Sequence, residues 1–161
     1  MLFRTRKMIS ARDLNSNGTL FGGRVLAWID EEAFIFATCQ IGSEKLVTKL
    51  ISKVEFISTA RIGDIIEIGT ELISLGTTSL TLACIVRNKK TETIITQVSD
   101  LVFVHVDEKG IPAPHGISKP IVDIISELNT SSWTQYFTPI NSYIVKNSPL
   151  KNKLFSYFSS Q

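Results

Sequence analysis

Residues 23–38 read GRVLAWIDEEAFIFAT, and the architecture hangs on this run. On a helical wheel at ~100° per residue, Arg24, Glu31 and Thr38 share one narrow stripe, while Val25, Leu26, Ile29, Ala33, Phe34, Phe36 and Ala37 take most of the remaining circumference. Little of such a helix can face water, so the rest of the chain must wrap around it. Downstream the hydrophobic period changes to two. In Leu46 to Phe56 one face carries Leu46, Thr48, Leu50, Ser52, Val54 and Phe56 and the other Val47, Lys49, Ile51, Lys53 and Glu55, the pattern of a half-buried strand. Arg61-Ile62-Gly63-Asp64 turns the chain into a strand over Ile65 to Leu75, Gly76-Thr77-Thr78 into one over Ser79 to Arg87, and Asn88-Lys89-Lys90-Thr91 into one over Glu92 to Val106. With a short opening strand from Phe3 to Ile9, this order predicts an α+β domain, a strongly curved antiparallel sheet around one long helix.

Composition narrows the function classes. The chain has 161 residues, room for one domain with a sizeable core, and a net charge of +2, too small a field to gather nucleic acid. At 43% hydrophobic and 20% charged residues it is apolar for a small monomer, which fits an oligomer that hides apolar surface. Leu72 to Val86, the longest uncharged stretch, is too short and too rich in Ser and Thr to span a bilayer, and the N-terminus shows no export signal. Cys39 and Cys84 have no metal-binding or disulfide spacing and read as small core residues in a cytoplasmic protein. His105 and His115 read as structural, and no metal constellation is expected.

The chemistry concentrates near the helix start. Asp30 falls at ~240° on the wheel, between Leu26 and Ala37 on one side and Phe34 on the other, whereas Glu31 lies on the polar stripe and Glu32 at its edge. A carboxylate on an apolar face needs a partner or a purpose. Upstream, Asn15-Ser16-Asn17-Gly18-Thr19-Leu20-Phe21-Gly22-Gly23 runs straight into the helix. Two glycines there leave backbone N–H groups open to a ligand, with the positive end of the helix dipole behind them, a corner able to hold a developing oxyanion. No Gly-x-Ser-x-Gly elbow and no Cys-His pair compete for the role of nucleophile.

The stretch Asp13 to Gly23, followed seven residues later by Asp30, resembles the signature of hotdog-fold acyl-CoA thioesterases of the YciA and brain acyl-CoA hydrolase type. The similarity extends through Val47-Thr48, Phe56 and Gly63-Asp64 to Gly76-Thr77-Thr78-Ser79, covering roughly residues 3 to 115. The resemblance implies a cofactor-free hydrolase of fatty acid metabolism that acts on acyl-CoA, with a homodimer as the minimal active unit and a hexamer, a trimer of dimers, as the assembly. It implies Asp30 as catalytic carboxylate and Asn15 as catalytic asparagine from the other subunit. Gly23, with Gly22, would face the thioester carbonyl, and Thr48, Gly76, Thr77, Thr78 and Ser79 would line the substrate and CoA path. The sequence departs from the family pattern at Arg24, Ser52 and Thr59. Arg61, Arg87, Lys89 and Lys90 are candidate contacts to CoA phosphates, though charges at hairpin tips are usually solvated. The alternative from another class is a non-catalytic acyl-CoA-binding hotdog regulatory protein.

The hotdog domain is expected over residues 1–117 and an extension over 118–161. Ser118-Lys119-Pro120 resembles a helix start, with Ile121, Ile124, Ile125 and Leu128 at helical spacing. An aromatic, lysine-bearing tail follows, expected to pack on a neighbouring subunit.

Overall fold

The computed structural model describes residues 1–118; the expected extension, with its helix and tail, lies outside the described residues apart from Ser118. The chain forms strand β1 (Leu2–Met8), a single 3₁₀ turn (Ala11–Asp13), helix α1 (Gly22–Ile41), and strands β2 (Leu46–Phe56), β3 (Ile65–Leu75), β4 (Ser79–Asn88) and β5 (Ile94–His105). The strands make one five-stranded antiparallel sheet in the order β1-β3-β4-β5-β2. β1 and β2 are its two edges, so α1, which joins them in sequence, must cross the whole concave face. It ends where Gly42 adopts a left-handed conformation and donates its N–H to Thr38 O at 2.8 Å, a helix stop that glycine enters without a Cβ penalty.

The core lies between that helix and the sheet. Val25, Ile29, Ala33, Phe36, Ala37 and Ile41 form the buried stripe of α1. Facing them are Ile66 and Ile68 of β3, the alternating Leu80, Leu82, Cys84 and Val86 of β4, and Val98, Leu101 and Phe103 of β5. Phe34 meets the Phe103 ring edge to face, centroids 6.2 Å apart. Burial pushes the Cys84 thiol up to about 11, so this cysteine is an unreactive core group, as expected.

Three expectations need correction. Cys39 is exposed, because it lies off the buried stripe of α1. Ile35 is 51% exposed, so within one chain the helix is covered less completely than the wheel predicts. In β2 the strict alternation fails: Leu50 is exposed, while Ile51 and Val54 pack against the core. Between Thr48 and Leu50 the register against β5 shifts by one residue, so Lys49 is the extra residue of a β-bulge, and such an insertion turns Ile51 to the core face, while Val54, beyond Lys53, keeps the face the alternation predicts. Farther along, Lys53 has φ 51°, and a second irregularity between Leu82 and Cys84 faces the opposite side of β5. These bulges bend the sheet around the helix.

The sheet's convex side holds a buried acid. Glu67, 1% exposed, alternates with Ile66 and Ile68 and so points away from α1, directly between its cross-strand neighbours Arg6 and Arg87. Arg87 Nη2 lies 2.6 Å from Glu67 Oε1, Lys89 Nζ 3.6 Å from it, and Arg6 Nε 3.4 Å from Oε2. Burial alone would raise this carboxyl's pKa; Arg87, Lys89 and Arg6 outweigh it and hold Glu67 below the usual carboxylate range. The Arg87 guanidinium also stacks on the Phe3 ring, 3.9 Å from its centroid.

Among the described residues Phe103 is the largest fully buried side chain, and it touches the helix through Phe34. Phe103→Ala is expected to cost about 3–5 kcal/mol of unfolding free energy, read from urea denaturation; a loss below about 1 kcal/mol would show that the two layers do not depend on it.

Candidate active site

Asp30 sits two turns into α1, off the buried stripe, on the side that meets edge strand β2. The Thr48 hydroxyl donates to its Oδ1 at 2.8 Å, so a residue expected only to line the substrate path holds the carboxylate. Oδ2 has no donor among the described residues. One oxygen is thus oriented and the other left for water or substrate, as a general base or a nucleophile requires.

Asn15 organises its own loop. Its Oδ1 accepts the N–H groups of Asn17 at 2.9 Å and Thr19 at 3.2 Å, while its backbone N–H donates to Thr19 O at 2.8 Å and its carbonyl accepts from Gly18 at 3.0 Å. The amide nitrogen donates to Thr19 Oγ1 at 3.0 Å. Because the oxygen is claimed by two backbone donors, the side chain faces any ligand as a donor only, with one N–H to spare.

The loop enters the helix through Phe21, the N-cap. Phe21 N–H donates to Asp13 O at 2.9 Å, and Phe21 O accepts Arg24 and Val25 N–H at 3.0 and 3.2 Å. The N–H groups of Gly22 and Gly23 find no acceptor among the described residues, as first-turn donors do not within a helix. A Cβ on Gly23 would lie 2.7 Å from the Phe21 ring and one on Gly22 3.2 Å from the Phe56 ring, so these two half-exposed rings lie directly on the glycines.

Sequence reasoning passed over Asp13, which the structure makes the keystone of this corner. Buried, it accepts the hydroxyl and N–H of Ser10, while Arg24 Nε lies 3.4 Å from its Oδ1. The Ser10 hydroxyl bond, with the Ser10 N–H, Arg12 and Arg24, outweighs burial and keeps Asp13 below the usual carboxylate range. The signal was the capping-box spacing Ser10-x-x-Asp13. Arg24, the departure after the glycine pair, is the partner of this acid.

The remaining candidates divide. The turn Gly76 to Ser79 lies at the same end of the sheet as Thr48, since Ser79 and Val47 both pair with Val104 of β5, two strand spacings or about 10 Å apart. Arg87 and Lys89 are held by Glu67, which removes them as free phosphate ligands; Arg61 and Lys90 stay exposed. Within the chain no hydrogen bond joins Asn15 to Asp30.

The Thioesterase superfamily profile matches residues 17–95. An uncharacterized acyl-CoA thioester hydrolase of Buchnera aphidicola subsp. Baizongia pistaciae is 30% identical over 118 residues, covering 70% of this chain and 85% of the relative. The chain belongs to the acyl-CoA thioester hydrolases of the thioesterase superfamily. A solved apo-hexameric acyl-CoA thioesterase shares 37% identity with this hotdog hydrolase at a TM-score of 0.62, over 68% of this chain and 72% of that one. The acyl-CoA hydrolase of Staphylococcus aureus, solved with butyryl coenzyme A, coenzyme A and coenzyme A disulfide, is 28% identical at a TM-score of 0.62, over 68% and 66% of the two chains. Solved variants of that hydrolase replace an asparagine and, fifteen positions later, an aspartate by alanine. Asn15 and Asp30 have the same separation. Among the described residues no helix is long and apolar enough to cross a membrane.

Asp13→Asn is expected to lower stability by about 1–3 kcal/mol at neutral pH, because it removes charge from a buried hydrogen-bonded carboxylate. A depressed folded-state pKa stabilises above the unfolded value, so the gap between wild type and variant should close as pH falls below the ordinary value of 3.8. Urea unfolding from pH 7 to pH 3 measures it; a gap constant with pH would mean that the charge contributes nothing.

Proposed function

We propose that this protein hydrolyses acyl-CoA thioesters to free fatty acid and CoA, in a cytoplasmic setting, at a site that two copies of the chain complete together. Family membership supports the reaction, and one length carries the shared site. Gly23 and Asp30 are seven residues apart on a helix, about 10 Å along its axis. A thioester carbonyl needs oxyanion donors and a water-activating base each within about 3 Å of the reacting atoms. The N–H of Gly23 and the carboxylate of Asp30 in one chain stand at opposite ends of that length, and drawing one of them from a second copy brings both onto the reacting atoms.

Strand β2 is where that copy fits. Nothing among the described residues pairs with its outer edge, and Val47, Leu50 and Phe56 stand exposed along it. A long apolar edge is a template for pairing, and two identical edges joined about a two-fold axis satisfy each other. Asp30, tied to β2 by Thr48, then lies beside the seam, within reach of the mate's Asn15 loop and Gly22-Gly23 corner. The dimer is the active unit, assembled into a hexamer as in the apo-hexameric thioesterase.

In this site Asp30 Oδ2 takes a proton from water as its oxygen attacks the thioester carbonyl carbon, or attacks that carbon itself to form an anhydride that water then opens. The N–H of Gly23, with that of Gly22, stabilises the tetrahedral oxyanion. The spare Asn15 N–H orients the water or the carbonyl. The C–S bond breaks; in the base route the CoA sulfur takes the proton from Asp30, and in the anhydride route it leaves as thiolate and is protonated by the water that opens the anhydride.

Free-thiol detection across acetyl- to palmitoyl-CoA is expected to show turnover by wild type and a drop in kcat of about 10²-fold or more for Asp30→Asn. Asn15→Ala should be impaired as well. Co-refolding these two variants in equal amounts should restore about a quarter of wild-type activity, since half the dimers are mixed and each mixed dimer keeps one intact site of two. A mixture as inactive as its components would place both residues in one chain's site, and acyl-CoA that binds and is never hydrolysed would make the protein a regulator.

A further inference from the structure

After β5 the chain makes a tight turn in which Asp107 Oδ1 accepts the N–H groups of Lys109 at 2.8 Å and Ile111 at 2.9 Å, and it then doubles back. The returning segment meets the β3–β4 turn, and the meeting is made by the two histidines. His115 Nε2 lies 2.7 Å from Gly76 O, His115 N–H donates to Thr77 O at 3.2 Å, and His105 N–H donates to Thr78 O at 2.8 Å. Every carbonyl of the turn from Gly76 to Thr78 is therefore engaged from the histidine side.

The ring of His115 works as a two-ended clip. Its Nδ1 accepts the Ile117 N–H at 3.1 Å, so the ring proton sits on Nε2 and is donated to Gly76 O. His105 anchors the same segment by donating Nδ1–H to Ala113 O at 2.9 Å. Between turn and segment lies an open cleft of about 420 Å³, with Leu75, Gly76 and Thr77 on one wall and Pro114, Gly116 and Ile117 on the other. His115 is the side chain that ties the walls together.

This clip fixes more than the cleft width. In a trans peptide C=O and N–H point in opposite directions, so holding the carbonyls of Gly76 and Thr77 on the histidine side directs the N–H groups of Thr77 and Thr78 away from it. Neither N–H has an acceptor among the described residues. The turn thus presents oriented, unclaimed donors at the sheet end that also carries Thr48.

We propose that His115 is a positioning residue for the CoA portion of the substrate, holding the Gly76–Ser79 turn in the geometry that binds it. The proposal rests on the reading above that this turn lies along the CoA path of an acyl-CoA hydrolase. A residue acting there sets KM and leaves the chemistry at Asp30 alone. It also acts equally on every acyl chain length, because the CoA portion is common to all of them.

The test compares His115→Phe, which keeps a ring and removes donor and acceptor, with His115→Gln, whose amide can reach Gly76 O. H115F is expected to raise KM about 3- to 10-fold by the same factor from acetyl- to palmitoyl-CoA, with kcat within about twofold of wild type. The inhibition constant of free CoA should rise by that factor, and H115Q should stay within about twofold of wild type in both constants. Should H115F fail to assemble, His115→Asn reads the same loss, since it keeps an acceptor for Ile117 but is too short to reach Gly76. An unchanged KM, a fall in kcat in its place, or a rise confined to long chains would overturn the role of His115 while leaving the hydrolase reading intact. Wild type that turns over no acyl-CoA would instead overturn that reading, and the clip's role in binding CoA with it.

Discussion

One helix has to close the concave face of a five-stranded sheet, and the rest of the molecule follows from that constraint. Because β1 and β2 are opposite edges, α1 runs diagonally between them and gives its i, i+4 stripe of Val25, Ile29, Ala33 and Ala37 to the core. Any polar group off that stripe comes out toward an edge. Asp30 comes out at β2, where Thr48 bonds it, so the carboxylate proposed as reactive lies beside the one long strand whose outer side is left unpaired among the described residues. The proposed catalytic position and the proposed dimer seam are two consequences of the same crossing.

The chain treats three acids in three ways, and the contrast supports the proposal that Asp30 is the reactive one. Asp13 is saturated by Ser10 and neutralised by Arg24. Glu67 is buried and enclosed by Arg6, Arg87 and Lys89, which together compensate its charge. Both are held ionised by full complements of partners, which makes them poor bases. Asp30 has a single hydroxyl on a single oxygen. It alone of the three retains an open lone-pair face from which to take a proton, and it alone stands next to the proposed interface, from which water would be excluded when a mate arrives.

Much of this was legible in advance, for a physical reason. A helix apolar on most sides and strands of alternating polarity encode layer and period directly, and the limits of β2 and β3 fall where the turn residues put them. The bulge at Lys49 was not legible, because a one-residue insertion leaves composition untouched while inverting which side chains face inward. Glu67 was hidden differently. Between Ile66 and Ile68 it looks like the solvated half of an alternating strand, and only the pairing of β1 and β4 on either side brings cations over it. Of the site, Asp30 announced itself by its wheel position; Asp13 and the histidine clip depend on contacts between segments far apart in sequence.

The asparagine loop explains why an amide belongs at position 15. A carboxylate there could accept the N–H groups of Asn17 and Thr19 as well as Asn15 Oδ1 does, so loop formation alone does not demand an amide. What a carboxylate lacks is a donor. With the oxygen consumed inside the loop, the outward-facing chemistry of Asn15 reduces to an N–H on a frame already fixed by five local hydrogen bonds, and that frame costs no ordering when substrate arrives. The proposed site therefore opposes a fixed donor on one copy to a lightly held acceptor on the other. In the proposed site the acid and amide at positions 30 and 15 are not interchangeable, because exchanging them would place the carboxylate in a loop whose N–H groups claim its oxygen, and an amide, which is no base, at position 30.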